Sequence, residues 1–124
     1  MPIARAPETF THQLPHASFT SLATPSRGSR ETSLWRVQLS PRSAAAPHQL
    51  TREEVFLVLK GRARVRIGGE ESEAGAGDAI IVPPNTDFVL ESASDEPFEA
   101  LCCMPVGGQA RLADGQPFTP PWAE

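Results

Sequence analysis

Thirteen prolines and nine glycines are spread through 124 residues, and they cut the chain into pieces too short for a helical core. Nowhere does apolar spacing keep a 3.6-residue period through three turns. Short segments that alternate with period two remain, so the expected fold class is all-β. With 40% hydrophobic residues the chain can fill one core, and one small site is the expectation.

The strongest apolar run lies between a histidine and a glycine, in His48-Gln49-Leu50-Thr51-Arg52-Glu53-Glu54-Val55-Phe56-Leu57-Val58-Leu59-Lys60-Gly61. Side chains of an extended segment alternate between faces, so His48, Leu50, Glu54, Phe56 and Val58 share a parity and can point into one interior. Thr51 with Glu54 also satisfies a helix capping box. The apolar run of residues 55–59, stopped by Gly61, is too brief for a helix.

Residues 34–39 alternate Trp35, Val37 and Leu39 against Arg36 and Gln38, the mark of a half-buried strand. Residues 62–67 alternate Ala63, Val65 and Ile67 against three arginines and end at Gly68-Gly69, a two-residue hairpin turn. Counting outward from that turn puts Ile67 opposite Glu70, Arg66 opposite Glu71 and Arg64 opposite Glu73, a solvated charge ladder. Residues 79–82 read as a buried strand, and residues 88–91 and 98–104 as two more. Residues 1–32 read as an extended N-terminal arm with short strands, 33–106 as the barrel core, and 107–124 as an irregular tail whose Phe118 and Trp122 pack on the barrel.

Eleven basic against fifteen acidic residues give a net charge of −4, which argues against nucleic acid or an anionic membrane as the main partner. No run approaches the roughly 20 apolar residues of a membrane helix, and the first thirty residues lack a signal-peptide core, so a soluble cytoplasmic protein is expected. Cys102 and Cys103 are adjacent, and Cα atoms about 3.8 Å apart lie closer than the usual disulfide range of about 4.4–6.8 Å. They read as reduced thiols.

Short strands between glycine and proline turns point to a sandwich or a small barrel. His48-x-Leu50-x-x-x-Glu54 followed by Gly61 resembles the first cupin motif, and Gly77-Asp78 with Pro83 and Asn85 resembles the second. The resemblance covers roughly residues 34 to 104. It implies a double-stranded β-helix, the jelly-roll barrel of small single-domain cupins, and a homodimer paired through a sheet edge and the N-terminal arm, since edge strands invite such pairing. It also implies a metal held by two histidines and a glutamate of the first motif and a histidine of the second. His48 and Glu54 match that set, Leu50 and Phe88 do not, and Asn85 stands where glycine is common.

Three readings of the site follow. A divalent metal on His48 and Glu54 would need further ligands, from Cys102 or Cys103 or from His12 or His16. Without metal, a His48–Glu54 dyad would raise the histidine pKa and suit general acid–base work, as the resemblance to cupin epimerases implies. The third and favoured reading has no cofactor: Leu50, Phe56, Val58 and Phe88 form an apolar pocket in which His48 and Glu54 hydrogen-bond each other, and the protein binds a small molecule. A cupin enzyme on a small organic substrate, of metal-dependent dioxygenase or isomerase type or of the metal-free type, is the alternative. Trp35 and Trp122 read as core and lid.

Overall fold

The computed structural model describes residues 3–124, and they form an antiparallel jelly roll of eleven strands. The strands are β1 (His12–Leu14), β2 (Ala17–Ala23), β3 (Thr32–Leu39), β4 (Gln49–Leu50), β5 (Glu54–Lys60), β6 (Ala63–Ile67), β7 (Glu70–Ala74), β8 (Ala79–Val82), β9 (Phe88–Ser92), β10 (Phe98–Pro105) and β11 (Ala110–Arg111). Two single turns of 3₁₀ helix, Pro25–Arg27 and Pro121–Ala123, complete the described elements. No helix among the described residues is long and apolar enough to cross a membrane.

A six-stranded sheet runs β1-β2-β3-β10-β5-β8, a three-stranded sheet runs β7-β6-β9, and β4 pairs with β11. The inward faces of both larger sheets meet in one core. Trp35, Val37, Leu39, Phe56, Val58, Ala100, Cys102 and Met104 come from one side, and Ala63, Val65, Phe88 and Leu90 from the other. Each set keeps strict alternation along its strand, because a one-residue slip would turn every apolar side chain to water. The arm's two strands belong to the larger sheet: β2 pairs along β3 from Ala17↔Leu39 to Ala23↔Leu34, and Phe19 joins the core.

The β6–β7 hairpin has the expected register, with Ile67↔Glu70, Arg66↔Glu71 and Arg64↔Glu73. Gly68 and Gly69 both have positive φ, as a type I′ turn demands. Only part of the charge ladder forms. Arg66 reaches Glu71 at 3.4 Å, whereas Arg64 turns to Glu91 on β9 at 2.7 Å and Glu73 is taken by Arg62 at 3.3 Å. The reason is that β6 is the central strand: Arg64 has Glu73 on one side and Glu91 on the other, and a two-strand count sees only the first.

One further expectation is corrected, and the absence of a helix after Thr51 agrees with the brevity of its apolar run. Strand β8 is half buried: Ile80 and Val82 face the core, but among the described residues it pairs only with β5, so it is an edge strand, and Ile81 is 57% exposed on the outer face. Thr51 caps no helix. Its amide donates to the Gln109 carbonyl (2.9 Å), and its hydroxyl accepts from the Gln109 amide (2.8 Å), which ties the segment before β5 to the start of β11.

Candidate functional site in the barrel cavity

The chain between His48 and Leu50 is held on both sides. His48 exchanges backbone hydrogen bonds with Phe88 (3.2 and 3.0 Å), Leu50 pairs with Ala110, and the Asn85 amide donates to the Leu50 carbonyl at 2.7 Å. Asn85 has φ +56, a left-handed conformation that asparagine tolerates better than most residues, which explains how it serves where a glycine is common. The two motifs therefore meet through backbone, and they fix one wall of a cavity of about 520 Å³.

Of the residues expected to line a pocket, His48, Leu50, Glu54, Phe56 and Phe88 do so. Val58 does not. It shares their inward face and is 1% exposed, but it lies towards the Gly61 end of β5, opposite Ala100 of β10, where the core is closed by side chains. Other walls come from segments far away in sequence. Phe19 of β2 and Trp122 of the C-terminal turn stack with ring centroids 3.6 Å apart and planes within 2°, and both line the cavity. The Ser21 hydroxyl donates to the Trp122 carbonyl at 2.7 Å and the Ser26 amide to the Glu124 carbonyl at 2.8 Å, so the tail is seated on β2 and the turn after it. Their only sequence signal was an aromatic residue inside an otherwise polar, proline-rich segment. That signal says "packed" and does not say where.

The expected His48–Glu54 hydrogen bond is not made. His48 Nδ1 lies 2.8 Å from the Ala46 carbonyl oxygen. A carbonyl can only accept, so Nδ1 carries the proton and Nε2 is left as an acceptor. Burial lowers the His48 pKa, with the Ala46 bond opposing it, which is the reverse of the rise expected for a dyad. The imidazole is therefore neutral near pH 7, and it packs at 4.3 Å against the Phe88 ring.

Glu54 is 4% exposed, and its hydrogen-bonding side chain is the Cys102 thiol of β10, not the imidazole. Loss of water pushes its pKa up to about 8, the Cys102 bond pulling weakly the other way, so the group is mainly an uncharged carboxylic acid at neutral pH. The Cys102 pKa is itself raised, first by burial and then by Glu54, which leaves an inert thiol. Cys103, on the opposite face of β10, does not line the cavity.

The donor set does not fit the metal that the family resemblance implied. Leu50 and Phe88, each 2% exposed, put hydrocarbon where two ligands would be needed. Among the described residues no three His, Cys, Asp or Glu side chains converge as metal ligands. His16 stands exposed at the cavity mouth, and His12 is outside it with Nδ1 2.9 Å from the Thr11 hydroxyl. The cavity thus offers a carboxylic acid that can donate and an imidazole nitrogen that can accept, set in apolar walls.

Comparison with known proteins agrees with this geometry at the level of fold. The uncharacterized protein MJ1618 of Methanocaldococcus jannaschii is 36% identical over 53 residues, which is 43% of this chain and 42% of that protein. The chain therefore spans less than half of that relative. The polyketide cyclase RemF from Streptomyces resistomycificus superposes with a TM-score of 0.73 at 19% identity, over 91% of this chain and 82% of its own. Salicylate 1,2-dioxygenase from Pseudoaminobacter salicylatoxidans superposes with a TM-score of 0.71 at 16% identity, over 82% of this chain and 30% of its own. Residues 35–104 match the family described as the cupin domain. With the two motifs joined at Leu50 and Asn85 and the jelly roll around them, this chain belongs to the cupin family.

Proposed function

We propose that this protein binds a small organic molecule inside the barrel, using the protein's own side chains without a metal. The observation that carries the reading is the cavity of about 520 Å³, within the range of small-molecule sites, whose walls are hydrocarbon and aromatic with very few convergent polar groups. Free thiols at Cys102 and Cys103 support the expectation of a reducing, cytoplasmic setting. A fragment panel followed by quenching of Trp35 and Trp122, both on the cavity wall, tests the reading. Ala45→Trp, which adds a large side chain to that wall, is expected to weaken any hit at least about tenfold while the protein stays folded. A panel whose hits ignore that substitution would place binding elsewhere.

A second reading is supported by the protonation states at the site. A carboxylic acid and an unprotonated imidazole nitrogen are the two halves of general acid–base catalysis, and RemF, similar in fold, is named as a polyketide cyclase. Under this reading Glu54→Gln would keep ligand affinity and lower turnover by about 10²–10⁴.

The partner reading is a second copy of this chain. Edge strand β8 leaves one side of its backbone unpaired, and next to it Ile81, Leu57 and Leu59 are 57%, 41% and 37% exposed on the outer face of the six-stranded sheet. An edge flanked by apolar side chains matches an identical antiparallel edge across a twofold axis. Light scattering should give a dimer mass, and Leu57→Lys with Ile81→Lys should give a folded monomer. A monomeric wild type at tens of micromolar would end this reading.

A further inference from the structure

We propose that the occupant of the barrel cavity is an uncharged, flat aromatic compound carrying a carbonyl group, the carbonyl oxygen accepting from the Glu54 carboxyl. This rests on the binding function proposed above and narrows it to a chemical class.

The charge of the ligand follows from what the walls lack. Among the described residues no lysine or arginine lines the cavity. A carboxylate or phosphate passing His16 at the mouth would lose its water inside with no lysine or arginine to replace it, and it would meet the Glu54 carboxyl group. A cationic ligand would need Glu54 ionised. That group has only a thiol for support, and its burial favours the neutral acid.

Flatness follows from the aromatic walls. Phe56 and Phe88 meet edge to face at 6.2 Å and 64°, the arrangement by which aromatic rings pack on one another, and the parallel Phe19–Trp122 pair offers flat surface on another side. A cavity of about 520 Å³ has room for about two or three fused rings with substituents. The way in is largely apolar beside His16, since Leu14, Leu112 and Phe118 line the cavity yet are 53%, 45% and 42% exposed.

The carbonyl follows from the few polar groups. His48 Nε2 accepts and the Glu54 acid donates, enough for one oxygen function and one hydroxyl or amine. A sugar, with a hydroxyl on nearly every carbon, would leave most of its hydrogen bonds unmade in such a cavity.

Four naphthalene probes separate these features: 2-acetylnaphthalene, 2-ethylnaphthalene, 2-naphthoate and 2-naphthyltrimethylammonium, titrated into the full chain at pH 7 by calorimetry and tryptophan quenching. The ketone is expected to bind best, with the ethyl compound about tenfold weaker for want of one hydrogen bond and both ions at least about a hundredfold weaker. Glu54→Gln, which still donates, should keep the preference for ketone over ethyl compound, and Glu54→Leu should abolish it. Equal binding of an ion and the ketone, or of the ethyl compound and the ketone, would overturn the proposal. If none of the four binds but the fragment panel yields a hit sensitive to Ala45→Trp, the class is wrong and the binding function stands. If the panel is also empty, both fall.

Discussion

Glu54→Gln is expected to be more stable than the wild type at pH 7, by on the order of 3 kcal/mol, or about 10 °C in melting temperature for a domain of this size. The folded carboxyl has a pKa of about 8, against an ordinary value near 4.5 once the chain unfolds. A raised folded pKa means that the native state holds a proton which the unfolded chain gives up. The stability tied to that proton is complete below pH 4.5 and drains away as pH rises to about 8, at up to about 1.4 kcal/mol per pH unit. Glutamine keeps the shape and cannot ionise, so the decline between pH 4.5 and 8 should flatten. His48 acts with the opposite sign: its lowered folded pKa contributes stability that is present above about 6.5 and lost as pH falls. Between pH 4.5 and 8 the Glu54 loss therefore sets the trend, His48 offsets part of it just below about 6.5, and Cys102 adds a further loss above pH 9. Urea unfolding from pH 4 to 9 measures both profiles, and parallel curves for the two proteins would show that Glu54 is ionised in the folded state.

Gly61→Ala should cost about 3 kcal/mol or more and leave little folded protein under modest stress. Gly61 has φ +79 where the chain turns from β5 into β6, and a β-carbon there would sit 2.6 Å from the Pro97 carbonyl oxygen and 3.1 Å from the Phe98 Cα. Those are backbone atoms at the start of β10, and Phe98 is 0% exposed, so nothing can swing aside. Gly69→Ala supplies the control. Its φ is +91 but no atom lies within 4 Å of the added carbon, so only the conformational cost of about 1 kcal/mol is expected. Equal losses in the two variants would mean that the close passage of Pro97 over Gly61 contributes nothing.

Much of this fold could be read along the chain because strands and tight turns are local. The parity of Leu50, Glu54, Phe56 and Val58 put all four on the inner face, and counting from the Gly68-Gly69 turn gave three cross-strand pairs correctly. The readings that failed each depended on a neighbour outside the segment. Arg64 found Glu91 because β9 lies on the far side of β6, and Ile81 is exposed because it points to the outer face of the sheet, where Leu57 of the neighbouring strand is exposed too. His48 and Glu54 share a parity, yet each took a different partner: the Ala46 carbonyl, and a thiol forty-eight residues on.

The amino-acid sequence by itself determined which side chains face inward, since alternation and turn geometry need only neighbours along the chain. Tertiary structure decided what that interior can do. Phe19 and Trp122, 103 positions apart, became one stacked wall of the cavity, and Glu54 became a neutral acid. The physical reason is that charge state and shape complementarity depend on how much water the surrounding elements exclude. That is settled only when β2, β5, β10 and the C-terminal turn close around the same space.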